Sequence, residues 1–129
     1  MIKLMPFILV GIGGMIGSLM RYGVTLLTKD ISVTIPYGTL VSNIAGCFII
    51  GAVTALADQR AVMSGEMRLF FSTGLCGGFT TLSSMMYEIQ KMIADREFAI
   101  ASLYLASTFA VSFVALLCGM ACVRLLVKG

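Results

Sequence analysis

The sequence predicts an all-α membrane protein with four transmembrane helices, and three observations lead to that prediction. The chain has 129 residues, of which 59% are hydrophobic and 12% are charged. Its mean hydropathy is +1.02. A soluble domain of this size cannot bury so much apolar surface, and four stretches reach the length of about 20 apolar residues that a membrane helix needs. We therefore expect one transmembrane domain over residues 1–129.

The four spans follow one another with short connections. The first is predicted from about Pro6 to Leu27 and the second from about Pro36 to Ala57, each opened by a proline, as helix starts often are. The third covers about Met67 to Ile93 and the fourth about Phe98 to Val127. Because the connections are short, consecutive helices are expected to be antiparallel neighbours.

The third span is predicted to break in mid-membrane, within GLCGGFTTLSSMM. Adjacent glycines followed by threonines lower helix propensity, which places the break over Gly77 to Thr81. The alternative is a glycine patch used for tight packing, but the neighbouring hydroxyls favour a break. Freed backbone at that depth can coordinate a cation or receive an anion. Ser64 and Asp95 are predicted to cap the third and fourth helices.

The positive charges divide almost evenly between the two sides of the predicted bundle. The side that holds both chain ends carries Lys3, Arg60, Arg68, Arg124 and Lys128, and the other side carries Arg21, Lys29, Lys91 and Arg96. So small a bias barely selects an orientation under the positive-inside rule. Two explanations stay open: some charges are buried or assigned to the wrong side, or the chain inserts both ways and pairs antiparallel.

The composition argues against an enzyme and against nucleic-acid binding. The chain has no histidine, which removes the usual general base and proton shuttle. Every acidic residue lies near a predicted helix end or in a loop, with Glu88 the deepest. The lysines and arginines are scattered and form no basic cluster. The cysteines lie in apolar segments, where buried thiols behave as small hydrophobes.

Neutral polar side chains form stripes on two of the spans. Tyr104, Thr108 and Ser112 recur every four residues on the fourth span, and Thr39 and Asn43 have the same spacing on the second. Such groups often bond their own helix or join neighbouring helices. As a set they also offer hydrogen-bond donors without a fixed negative charge, which suits the removal of water from a small anion.

On these motifs the chain resembles the Fluc (CrcB) fluoride channel family. The resemblance rests on GSLMRY (17–22), YGTLVSNIAG (37–46), GLCGGFTTLSS (74–84) with Glu88, and the stripe of the fourth span. It implies an antiparallel, dual-topology homodimer with two pores, lying as a multi-pass protein in the inner (plasma) membrane of a prokaryote. It further implies that the dimer passively exports cytoplasmic fluoride.

The resemblance also assigns roles to particular residues. Backbone carbonyls of Gly77 and Thr80 match positions that hold a structural sodium ion at the dimer centre. Arg21 matches a basic vestibule residue, and Glu88 an acid near the end of the pore. The matching pore positions are Thr39, Asn43, Leu82, Ser83, Ser84, Met85, Tyr104, Thr108 and Ser112.

The chain departs from the family pattern at two pore positions. Where the family presents two phenylalanine ring edges to the ion, this sequence has Leu82 and Met85. An aromatic edge carries partial positive charge, which neither replacement supplies. Three explanations stay open: hydroxyls carry most of the coordination, a heterodimeric partner supplies the rings, or conduction is altered or absent. A small dual-topology drug exporter is a further alternative, disfavoured because the first helix has no glutamate.

Overall fold

The computed structural model describes residues 3–58 and 63–128, and no strand occurs in these ranges. Arg60 lies outside the described residues, as does the side chain of Lys128. Within these ranges three helices, α1 (Leu4–Thr28), α2 (Tyr37–Ala57) and α6 (Phe98–Lys128), are each long and apolar enough to cross a membrane. The elements are α1 (Leu4–Thr28), α2 (Tyr37–Ala57), α3 (Gly65–Arg68), a π-helix (Leu69–Cys76), α4 (Gly77–Phe79), α5 (Leu82–Ala94) and α6 (Phe98–Lys128).

The predicted span boundaries agree with these helices, and one of the two predicted caps is confirmed. Ser64 Oγ accepts a hydrogen bond from Met67 N–H at 3.2 Å and caps α3. The prediction for Asp95 is wrong, because that residue ends α5 rather than starting α6. Helix α6 begins after Glu97, whose carbonyl accepts the first helical bond, from Ala101 N–H at 2.9 Å.

The third span is interrupted at Thr80 and Thr81. Both residues are extended, with φ −83° and ψ 159° at Thr80 and φ −155° and ψ 117° at Thr81. The predicted break began too early, because Gly77 and the two residues after it form α4 and are still helical. The segment 65–79, made of α3, the π-helix and α4, therefore ends at Phe79, and α5 restarts at Leu82.

Glycines bring α1 and segment 65–79 into close contact. A Cβ added to Gly13 would lie 2.9 Å from Leu75 N, and one added to Gly17 would meet the carbonyl of Leu75. A Cβ on Gly78 would meet the carbonyl of Gly14. Small residues at these positions let two backbones approach. Gly13 and Gly17, which form a GxxxG pair on α1, therefore serve close packing, and Gly78 near the break does the same.

Helices α2 and α6 are not consecutive, and they pack side by side in parallel. Thr39 on α2 and Tyr104 on α6 both bond to Glu88, and twelve residues further along each helix a Cβ on Gly51 would meet the carbonyl of Leu116. Later residues of α2 therefore face later residues of α6, so the two helices run in the same direction. This register places the start of α2, with its polar residues, beside the polar stripe of α6.

Candidate functional site

A carboxylate on α5 joins the polar stripes of α2 and α6. Thr39 donates a hydrogen bond to Glu88 Oε1 at 2.6 Å, and the Tyr104 hydroxyl donates to Glu88 Oε2 at 2.8 Å. Thr39 and Tyr104 are buried, and Glu88 is half-buried. Two charge-assisted bonds hold the carboxylate and orient both hydroxyls. Three predicted site residues thus form one cluster, which we call the Glu88 cluster.

The rest of the α6 stripe continues away from this cluster. Thr108 donates to the Tyr104 carbonyl at 2.6 Å, which is a bond within the helix. Ser112 Oγ is buried and has no partner, and among the described residues only Ser42 Oγ shares that condition. A buried hydroxyl without a partner destabilises the folded protein by about 1–3 kcal/mol. The Ser112 hydroxyl therefore keeps an unused hydrogen-bond donor.

Asn43 on α2 bridges the helix break. Its Oδ1 accepts from Thr81 N–H at 2.8 Å, and its Nδ2 donates to the Thr81 carbonyl at 3.3 Å. An extended residue inside a membrane span leaves both of its backbone groups without helical partners, and these must be satisfied within the protein. The Asn43 amide satisfies both with one side chain.

A polar cavity of about 560 Å³ opens beside the break, and we call it the vestibule. It lies between α1, α2 and α5, and its charged lining side chains are Arg21, Lys29 and Glu88. The Arg21 guanidinium also donates through Nε to the Gly78 carbonyl at 3.2 Å. This carbonyl belongs to the last turn of segment 65–79, where a cation is favoured. Arg21 thus both lines the vestibule and caps the broken helix.

A second cavity, of about 210 Å³, lies at the break itself, and we call it the break cavity. Its lining comes from α2, the break, α5 and α6, namely Asn43, Cys47, Thr80, Thr81, Leu82, Met85, Thr108 and Phe109. Met85 is 2% exposed and belongs to the buried cluster that contains Tyr104, whereas Leu82 is 63% exposed. Thr81 lines both cavities, so the vestibule and the break cavity adjoin.

The predicted serines lie at the start of α5. Thr81 is the N-cap of that helix, and its Oγ1 accepts from Ser84 N–H at 3.2 Å. Ser84 also lines the vestibule, and Ser83 Oγ lies 3.3 Å from Thr81 Oγ1 on the exposed side. Both serines therefore stand at the helix N-terminus, where an anion is favoured.

The carbonyls of Gly77 and Thr80 suit the sodium ion that the resemblance implies. In a continuous helix Thr81 N–H would bond to Gly77 and Ser84 N–H to Thr80, but these donors go to Asn43 Oδ1 and Thr81 Oγ1. Both carbonyl oxygens are thereby released from the helical pattern. Neutral oxygens at an unwound helix are the ligands that membrane proteins offer to sodium, so the residues present fit the ion.

Comparison with known proteins identifies the family of this chain. The family model described as CrcB-like protein, Camphor Resistance (CrcB), matches residues 8–120. The chain belongs to this family. The match covers most of α1, all of α2, the break and most of α6, and it confirms the resemblance predicted from the sequence motifs.

Relatives of the CrcB chain carry a functional name. The "Fluoride-specific ion channel FluC" of Chlorobium phaeobacteroides (strain BS1) is 42% identical over 118 residues, which are 92% of each chain. The protein of the same name from Chlorobium luteolum is 46% identical over 112 residues, or 87% of each chain. That of Sorangium cellulosum is 37% identical over 121 residues, covering 93% of this chain and 95% of its own.

Sequence reasoning missed two connections in this CrcB site. The bond from Arg21 to the Gly78 carbonyl joins residues far apart in the chain, and nothing in the spacing of α1 points to it. The place of Phe109 in the break cavity was also missed. Its signal was available, since Phe109 directly follows Thr108 of the stripe.

Proposed function

We propose that this protein is a fluoride-selective channel that lets cytoplasmic fluoride leave the cell passively. The observation that carries the proposal is that the vestibule and the break cavity share Thr81 in their linings and that Glu88, which holds Thr39 and Tyr104, lines the vestibule. The names of its relatives support fluoride as the ion. No catalytic step is needed.

Selection follows from the kind of groups along the route. Arg21 and Lys29 attract an anion into the vestibule. Deeper in, the lining offers hydroxyl and amide donors, which can rotate from a protein acceptor to the ion. Fluoride accepts strong hydrogen bonds, and a narrow route with closely spaced donors replaces its hydration shell better than that of chloride.

We also propose that two copies pair in antiparallel orientation, with two pores and a structural sodium ion between them. The released Gly77 and Thr80 carbonyls would hold that ion, and Gly77 is exposed on the surface of the single chain. When bound, the ion would neutralise converging carbonyl dipoles and so favour the pairing. The nearly even division of positive charge supports insertion in both orientations.

The deciding experiment is fluoride efflux from liposomes that contain only the purified protein. Fluoride is expected to leave much faster than from empty liposomes, whereas chloride-loaded liposomes are expected to stay near the background rate. Fluoride efflux no faster than that of empty liposomes would contradict the proposal for the homodimer.

Substitution of Asn43 tests whether the route passes the break. Asn43→Asp keeps the acceptor for Thr81 N–H but removes the amide donors and adds a negative charge to the break cavity. A fixed negative charge in a narrow anion route is expected to reduce fluoride efflux severely. Unchanged efflux would exclude Asn43 from the lining.

Leu82 and Met85 are the observation that favours the second candidate, a subunit that conducts only with a partner chain. If the purified protein is silent, coexpression with a relative that carries phenylalanine at both positions is expected to restore efflux under this candidate. Failure of that coexpression would reject it.

A further inference from the structure

The side-chain hydrogen-bond donors of the break cavity are almost all engaged by the protein. Thr80 donates to the Cys76 carbonyl at 2.9 Å and Thr108 donates to the Tyr104 carbonyl at 2.6 Å. The Thr81 hydroxyl donates to Ser84 Oγ at 3.1 Å. Asn43 has two amide hydrogens, and one of them is directed to the Thr81 carbonyl.

An anion in this cavity would therefore meet few free donors on the lining side chains. The second amide hydrogen of Asn43 and the weak thiol donor of Cys47 remain. Leu82 and Met85 supply apolar surface and no donor. A dehydrated anion needs more compensation than one amide hydrogen, because burial of an unpaired charge is costly.

One lining side chain can provide that compensation. Among the described residues that line the cavity, Phe109 carries the one aromatic ring. The edge of a phenyl ring is electropositive, so it can face an anion without donating a classical hydrogen bond. Phe109 lies on α6 beside Thr108 and shares the cavity with Leu82, and both are more than half exposed at its edge.

We propose that Phe109 contacts the permeating anion in the break cavity by presenting its ring edge to the ion. The inference rests on the proposed fluoride channel and assigns a specific residue to its ion contact. It explains how an anion is accommodated in a cavity whose α5 positions, Leu82 and Met85, carry no ring.

The test compares Phe109→Leu with Phe113→Leu in the liposome efflux assay. Phe113 is one turn further along α6, is 62% exposed against 59% for Phe109, and does not line the cavity. Removing one aromatic contact is expected to slow fluoride efflux about two- to tenfold in Phe109→Leu. Fluoride efflux in Phe113→Leu is expected to remain within twofold of that of the unmodified protein, because this substitution removes no aromatic ring from the cavity.

Two further variants distinguish an ion contact from a packing role. Phe109→Tyr keeps the ring, and its fluoride efflux is expected to lie above that of Phe109→Leu. Leu82→Phe added to Phe109→Leu returns a ring to the same cavity and is expected to restore part of the lost efflux. If Phe109→Leu does not purify as a folded protein, Phe109→Met takes its place.

The outcomes separate this inference from the proposed function. Equal efflux in Phe109→Leu and the unmodified protein, or equal loss in both leucine variants, overturns the role of Phe109 and leaves the channel standing. Loss in Phe109→Leu without any rescue by Leu82→Phe also overturns it. An unmodified protein that passes no fluoride overturns the channel and this inference together.

Discussion

Arg96, in the turn between α5 and α6, adopts a backbone conformation that favours glycine. Its φ is 60°, and the turn is closed by bonds from Arg96 N–H to the Ile93 carbonyl and from Glu97 N–H to the Met92 carbonyl. A Cβ in this region costs about 1 kcal/mol. Arg96→Gly is therefore expected to raise the thermal unfolding midpoint in detergent. Arg96→Ala keeps the Cβ and controls for the lost charge, so equal midpoints for the two variants would contradict the strain.

Individual polar residues were predictable from the sequence, but their partners were not. Spacing alone grouped Tyr104, Thr108 and Ser112 into a stripe, and Glu88 was placed near it by resemblance. That Thr39 and Tyr104 share the Glu88 carboxylate depends on α2 and α6 packing in parallel, which no periodicity within either helix encodes. Side-chain pairing between distant helices is a property of the assembled bundle.

At the scale of elements, the helix break depends on two interactions rather than on glycine alone. Thr81 caps α5, and Asn43 satisfies the backbone groups that the interruption exposes. Glycine propensity predicted the interruption and its approximate place. The predicted break began at Gly77, because helix propensity treats all glycines alike. It does not distinguish a glycine that ends a helix from a glycine such as Gly78, which stays helical and lets α1 approach.

The glycine contacts of α1 make a prediction about helix packing. Gly17→Ala would place a Cβ against the carbonyl of Leu75. The atoms that this Cβ would meet belong to the backbone of segment 65–79, which has little room to adjust. Such overpacking is expected to destabilise the protein by about 1–3 kcal/mol. Gly11→Ala is the matched control on the same helix, because nothing lies within 4 Å of its added Cβ. Thermal unfolding of both variants measures the difference, and equal midpoints would contradict the packing assignment.

At the scale of the whole molecule, the positive charges mark the two ends of the bundle without favouring one. Lys29 and Arg96 follow the ends of α1 and α5, and Lys91 lies in the last turn of α5. Lys3, Arg68 and Arg124 lie at the opposite end. Arg21 faces the vestibule and bonds to Gly78, so it contributes to the site as well as to the count. A chain so balanced has little electrostatic reason to choose one orientation.

This balance predicts that lysines added to one end of the chain will abolish fluoride efflux, and that a second variant of opposite orientation will restore it. Ile31→Lys with Val33→Lys adds two charges to the exposed α1–α2 turn, and Leu125→Lys with Leu126→Lys adds two to the exposed end of α6. Each pair is expected to fix one orientation, the two being opposite. If the channel is an antiparallel dimer, each variant alone loses fluoride efflux from cells, and coexpression of both restores it. A variant that retains unmodified efflux on its own while a topology reporter shows a single orientation would exclude antiparallel pairing.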